Sequence, residues 1–142
     1  MNILSKIYRA IRIAKNWDRA VTFAATGRYE SALLELEIAW KYWENHPPPK
    51  YPLLRAYVEC KIRRHDLAIV DVTDAYEALK NKPWYSRNEN NYLLHYAARF
   101  GRKIVESQGD GGRHQFSSDL PSFDYNKISS YNRKVFPLES FD

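Results

Sequence analysis

Cysteine is almost absent from this chain, and glycine is scarce. The 142 residues contain one cysteine, Cys60, and 5 glycines. A single cysteine excludes an internal disulfide and is typical of a reducing compartment, so we expect a cytoplasmic protein. Few glycines and few runs of β-branched residues argue against an all-β fold.

Long apolar segments are lacking as well. No stretch of 18 uninterrupted apolar residues occurs, so the sequence predicts no membrane-spanning helix. The N-terminus has no apolar segment followed by small residues, which argues against a secretory signal.

The sequence also carries no recognisable catalytic motif. Phosphate-binding glycine loops, the nucleophile elbow and the zinc-protease pattern are all missing. The histidines His46, His65, His95 and His114 are far apart, and none has a histidine or cysteine three or four residues away. The carboxylates of the central helices fall at the spacing of a solvent-exposed face. We therefore expect no enzyme, no metal and no cofactor.

Aromatic and basic residues are abundant. The chain has 4 Trp, 11 Tyr and 6 Phe, and its formal net charge is +5. The excess of basic residues is local: residues 1–28 hold six basic and one acidic residue, and residues 81–105 hold five and one. These two regions are candidates for contact with phosphates of nucleic acid or with an anionic surface.

Apolar residues recur every three or four positions over most of the chain, which predicts an all-α protein. Gly27 suits the end of a helix, and the prolines at 47–49 and 83 must interrupt helices because proline lacks an N–H group. The sequence predicts helices at about 2–14, 16–26, 29–44, 52–64, 67–79 and 89–105.

The first predicted helix is amphipathic and basic, and Asn2 can cap it. Two interpretations stay open: its apolar stripe packs on the next helix, or it lies on an anionic membrane surface. The stripe consists of Ile3, Leu4, Ile7, Tyr8, Ile11 and Ala14, with Lys6, Arg9 and Arg12 on the other side.

The helical periodicity of apolar residues ends near residue 107. Residues 107–113 read as a flexible hinge, and residues 114–142 show no sustained period although aromatic residues recur there. Disordered tails are poor in aromatics, so this segment is expected to lie on a surface. We thus expect a helical domain at 1–106 and an extended tail at 107–142, which either covers the chain's own groove or docks on a partner.

An internal repeat is visible at an offset of 36 residues. Residues 29–40 align with residues 65–76, so that acidic residues match acidic ones and small residues match small ones. A weaker similarity aligns residues 24–28 with residues 98–102. The matched positions are Glu30/Asp66, Ala32/Ala68, Glu35/Asp71, Leu36/Val72, Ala39/Ala75 and Trp40/Tyr76.

At these residues the chain resembles the tetratricopeptide repeat family, whose helix–turn–helix unit of about 34 residues stacks into a superhelix. In the second unit Arg63 stands where the family has glycine. The family's small, aromatic, glycine and large apolar positions are matched in the first unit by Ala20, Phe23, Gly27, Tyr29, Ala32, Leu36 and Ala39.

The resemblance implies a short array of antiparallel helical hairpins, in which the first helix of each pair lines a concave groove. Such a groove would bind an extended acidic segment of a protein partner. We expect a non-catalytic adaptor or assembly subunit; the alternative is docking of the N-terminal helix on nucleic acid or an anionic membrane. The implied groove residues are Trp17, Val21, Leu53, Tyr57, Lys61, Asn91, His95 and Arg99.

Overall fold

The computed structural model describes residues 2–43, 46–109 and 115–141. All regular secondary structure in these ranges is helical, which confirms the all-α expectation. Each of the first four long helices packs against the next one in the chain. The helices are α1 (Ile3–Ala25), α2 (Tyr29–Lys41), α3 (Lys50–Lys61), α4 (His65–Asn81), α5 (Arg87–Ser107) and the short α6 (Ser130–Val135).

Helix α1 is continuous, whereas the sequence pattern suggested two helices meeting near residue 15. No glycine or proline separates them, and Asn16 is buried at the expected junction, where its Nδ2 donates to Glu35 Oε2 at 2.6 Å. The contact with α2 keeps this part of the chain helical. The expected cap is confirmed, because Asn2 Oδ1 accepts from the Ser5 N–H at 2.8 Å.

The prolines act near their predicted places. Helix α2 ends at Lys41, earlier than predicted, and α3 begins at Lys50 with Pro52 in its first turn. Proline is tolerated there because the first N–H groups of a helix have no partner within it. The last predicted residue of α2, Glu44, lies outside the described residues.

The two turns that join α1 to α2 and α3 to α4 have the same backbone geometry, 36 residues apart. Gly27 has φ +79° and Arg63 has φ +63°. The N–H of Arg28 donates to the Phe23 carbonyl at 2.8 Å, and that of Arg64 to the Glu59 carbonyl at 2.7 Å. Both helices therefore end in a left-handed cap that satisfies their last carbonyls.

An ion pair between helices is repeated at the same offset. Arg19 lies 4.0 Å from Glu35, whereas Arg55 donates to both carboxylate oxygens of Asp71 at 2.7 and 2.8 Å. Asp71 is only 3% exposed. The expectation that these carboxylates face solvent is therefore wrong for Asp71: the period places it on one face of α4, and α3 covers that face.

Small residues bring the helices together at both units. Ala32, Ala39, Ala68 and Ala75 are fully buried, at the positions that the repeat aligned. A residue without a long side chain lets a neighbouring helix approach closely, so these alanines set the spacing of the central helices. The tyrosines of α3, α4 and α5 fill the remaining volume of the core.

The weaker similarity at residues 98–102 does not mark a turn. Gly101 lies inside α5 and is buried. A Cβ built on Gly101 would lie 2.5–2.7 Å from the ring atoms of Phe116. The glycine therefore makes room for an aromatic ring and does not reverse the chain.

The C-terminal segment, defined here as residues 115–141, is partly helical, which corrects the expectation of an extended tail. It contains α6 and the 3₁₀ turns Tyr125–Lys127 and Leu138–Phe141. Local caps explain these short elements: Ser129 Oγ accepts from the Asn132 N–H, and Asp124 Oδ1 accepts from the Asn126 N–H, each at 3.1 Å. Residues 110–113 of the predicted hinge lie outside the described residues, as does His114.

None of the helices in the described ranges is both long enough and apolar enough to cross a membrane.

Candidate functional site

Helix α5 and the C-terminal segment meet along a row of hydrogen bonds. Asn91 Nδ2 donates to the Ser122 carbonyl at 3.1 Å, and His95 Nε2 lies 2.9 Å from the Pro121 carbonyl oxygen. Asn88 bonds both the N–H and the carbonyl of Asp124, at 2.7 and 3.0 Å. Three successive turns of α5 thus hold the main chain of one extended stretch.

From the same turns of α5, two other side chains hold the later part of the C-terminal segment. The hydroxyl of Tyr92 donates to the Phe136 carbonyl at 2.7 Å and accepts from the Leu138 N–H at 3.1 Å. The carboxylate of Glu89 accepts from the Ser129 N–H at 2.7 Å and from Asn132 Nδ2 at 2.6 Å. These polar groups of the segment are therefore matched by partners on α5.

Apolar anchors accompany these hydrogen bonds. Phe116, Ile128, Phe136 and Leu138 are each buried. Phe116 lies over Gly101 and meets the ring of Tyr76 edge-on at 5.3 Å. Four buried anchors spread over the segment indicate that it is part of the same hydrophobic core as the helices.

Three of the predicted groove residues contact the C-terminal segment. Asn91 and His95 hold its main chain as described, and the His95 ring lies 4.9 Å from the ring of Phe123. Trp17 Nε1 donates to the hydroxyl of Tyr131 at 2.7 Å. These residues come from α1 and α5, so the segment bridges the two ends of the helix series.

Three other predicted residues, Val21, Tyr57 and Lys61, line one cavity of about 450 Å³. Its floor is made by apolar and aromatic residues of α1, α3 and α5. Its far wall belongs to the C-terminal segment and includes Lys134 and Phe141. The predicted groove residues are thus divided into two sets: three contact the chain's own segment, and three line an apolar cavity with two lysines.

The thiol and hydroxyl groups of the cavity are poorly suited to nucleophilic chemistry. Burial raises the pKa of the Cys60 thiol to about 11, so the thiol stays protonated at neutral pH. Burial likewise raises the pKa of Tyr96 and of Tyr57. The cavity is therefore a surface for apolar contact, with Lys61 and Lys134 as its positive groups.

The remaining two predicted residues have other surroundings. Leu53 is fully buried among the core residues, which excludes it as a groove contact in this conformation. The helical period cannot separate a groove-lining leucine from a core leucine, because both lie on the apolar side. Arg99 is half-buried on α5.

Several residues that hold the C-terminal segment were not anticipated: Glu89, Tyr92 and Gly101 on α5, and Arg102, which donates to the Phe116 carbonyl at 2.9 Å. Gly101 offered a signal, because glycine inside a strongly periodic helix usually has a packing reason.

A buried acid lies beside the repeated ion pair. Glu59 on α3 is 5% exposed, and burial together with a hydrogen bond to Asp71 raises its pKa to about 9. At neutral pH Glu59 is therefore protonated, and it lies beside Asp71, to which Arg55 donates. The Arg55 guanidinium also lies 3.7 Å above the Trp40 ring, so α2, α3 and α4 meet at this cluster.

Among the described residues, no group of three or more His, Cys, Asp or Glu side chains is placed to hold a metal ion. The chain matches no family model, no curated protein and no solved structure.

Proposed function

We propose that this protein is a non-catalytic adaptor or assembly subunit, built as a tetratricopeptide-like array of helical hairpins, whose groove binds an extended segment of a protein partner. One observation carries the proposal. Helix α5 holds a segment of the chain itself, residues 115–141, through hydrogen bonds from its side chains to the main chain of the segment.

Main-chain recognition is what makes the groove adaptable. Side chains of Asn88, Asn91, Tyr92, His95 and Arg102 bond carbonyl or N–H groups that every peptide has. Such contacts supply affinity with little dependence on sequence, and pockets for side chains supply specificity. A partner segment with a similar path can replace part of the intramolecular one.

The repeated turns support the array. The turns at Gly27 and Arg63 have the same hydrogen bonds at an offset of 36 residues, and the Arg19–Glu35 contact recurs as Arg55–Asp71. Two units that share a turn, an ion pair and buried alanines have the local features of a helical repeat. The third unit would then consist of α5 and the C-terminal segment.

The cavity indicates which side chains a partner would place there. Its apolar lining suits a large aliphatic or aromatic residue, and Lys61 with Lys134 suits a neighbouring carboxylate. We therefore propose an acidic, aromatic-containing segment as the ligand and, from the single cysteine, a cytoplasmic location.

A display selection of random peptides against the full-length protein tests this function. We expect enriched peptides to combine acidic and large apolar residues, and to lose affinity when Lys61 is changed to Glu. Phe116→Ala should increase their affinity, because it weakens a segment that competes for the groove.

Lys41→Glu is the matched control, since Lys41 is exposed in the last turn of α2 and does not line the cavity. Affinity lost equally in both lysine variants would show only a general effect of net charge. Failure to enrich any peptide with the Phe116→Ala variant would contradict the proposal.

A further inference from the structure

The N-terminal half of α1 presents an apolar stripe to solvent. Its five large residues are between 49% and 74% exposed, although each has an apolar side chain. The alternative in which this stripe packs on the next helix is therefore wrong in this structure. The five large residues are Ile3, Leu4, Ile7, Tyr8 and Ile11.

The fold itself cannot cover this stripe. Helix α1 packs on α2 through Asn16, Ala20 and Ala24, which are buried. At the 100° per residue of an α-helix, the stripe is centred roughly 170° around the axis from that packing face. Helix α1 thus has two apolar faces on opposite sides, and only one of them faces the protein's own core.

Charges around the stripe are almost all positive. Lys15 and Arg19 lie beside the C-terminal end of the stripe, and Lys6 lies beyond its other edge, roughly 130° around the axis from its centre. All three are exposed. Asp18 is the one acidic residue among residues 1–28, which hold six basic residues. An apolar stripe flanked by cations is the composition of helices that lie in a membrane interface.

An aromatic groove of about 510 Å³ adjoins the stripe. Trp17, Trp43, Tyr51 and Tyr85 line it, together with Lys6, Lys50 and small residues of α1. Two of these small residues, Ala10 and Ala14, follow Ile7 and Ile11 by three positions and are therefore their neighbours on the helix surface. Tryptophan and tyrosine beside lysine are typical of the interfacial region of a bilayer, where rings and headgroups mix.

We infer that the N-terminal half of α1 docks the protein on an anionic membrane surface, with the stripe inserted at the headgroup boundary and the flanking lysines on lipid phosphates. This inference is independent of the groove function. The charges favour a membrane over a second copy, since pairing two stripes would bring like charges together. Nucleic acid would neutralise the cations but would leave the five apolar side chains in water.

Cosedimentation of the full-length protein with vesicles tests the inference. Vesicles of phosphatidylcholine alone are compared with vesicles that also contain phosphatidylglycerol. We expect binding to the anionic vesicles and little binding to the neutral ones. Leu4→Ser is expected to weaken the binding by roughly tenfold, since a leucine side chain no longer leaves water. Lys6→Glu combined with Lys15→Glu is expected to abolish the preference for anionic lipid.

Leu34→Ser and Val70→Ser are matched controls, because Leu34 and Val70 are 58% and 56% exposed on α2 and α4. They should bind vesicles like the unchanged protein. Equal losses in Leu4→Ser and Leu34→Ser would overturn the inference in favour of apolar adsorption with no preferred face, and no loss in either would overturn it in favour of a diffuse charge effect. Preferential binding to a DNA or RNA duplex, or a dimer that Leu4→Ser dissociates without any vesicle binding, would overturn it as well.

Discussion

Gly101→Ala is the sharpest test of how the C-terminal segment is held. In an ordinary helix interior this change is stabilising by about 0.8–1.0 kcal/mol, because alanine is the better helix former. Here the added Cβ would lie 2.5–2.7 Å from the Phe116 ring, whereas carbon atoms pack well at about 3.5–4.0 Å. The Phe116 ring packs against the Tyr76 ring, and Arg102 donates to the main-chain carbonyl of Phe116, so the ring has little freedom to move away.

The magnitude follows from the burial of Phe116, which is 2% exposed. Expelling such a side chain costs about 1.5–3 kcal/mol of transfer free energy. After the helix gain is subtracted, Gly101→Ala should lower the free energy of unfolding by about 1–2 kcal/mol. In a Phe116→Ala background the clash is absent, and the same change should raise the free energy of unfolding by about 1 kcal/mol.

Urea unfolding of the four proteins in this cycle, followed by circular dichroism, measures both effects. Hydrogen exchange of residues 115–141 locates them: Gly101→Ala should accelerate exchange in this segment more than in α2. A Gly101→Ala change that is stabilising by the same amount in both backgrounds would refute the placement of Phe116 over Gly101.

Five further substitutions, in three experiments, test the repeated units. The folded pKa of Glu59, about 9, lies above the unfolded value, so folding takes up a proton between pH 5 and pH 8. The free energy of unfolding should therefore fall with rising pH, by up to about 1.4 kcal/mol per pH unit. Glu59→Gln should remove this dependence, which denaturation at several pH values measures. Arg55→Ala should lower the free energy of unfolding by about 3–5 kcal/mol, because it leaves the buried carboxylate of Asp71 unpaired. Arg19→Ala, at the equivalent exposed position, should lower it by less than about 1 kcal/mol. Equal effects of the two changes in denaturation would contradict the difference in burial. Arg63→Gly should raise the melting temperature and Gly27→Ala should lower it, since both positions have positive φ.

The repeated turn shows what can and what cannot be predicted from the sequence. The offset of 36 residues was visible from matched alanines and acids, and the structure has the same turn at both places. The sequence did not reveal that Arg63 adopts the glycine conformation, because a left-handed arginine is disfavoured locally. The main-chain hydrogen bond from the Arg64 N–H to the Glu59 carbonyl, together with the packing of α3 on α4, stabilises this conformation.

The two faces of α1 show a different limit. The sequence pattern revealed the stripe and its flanking charges, but it divided the helix at the point where the apolar face changes side. Such a change of face predicts a break between two helices, whereas the chain continues as one helix and packs on α2 with its other side. The helical period describes one helix at a time and does not indicate which other helix packs against each of its faces.

The sequence by itself determined the all-α class, the proline and glycine boundaries, the 36-residue repeat and an aromatic C-terminal segment suited to a surface. These features depend on residues close together in the chain. Tertiary structure alone decided that this segment lies on α5, that Asp71 and Glu59 are buried and that the stripe of α1 stays exposed. Those outcomes depend on pairs such as Glu89 and Asn132, which are distant in sequence, and only the packing of whole helices brings such pairs together.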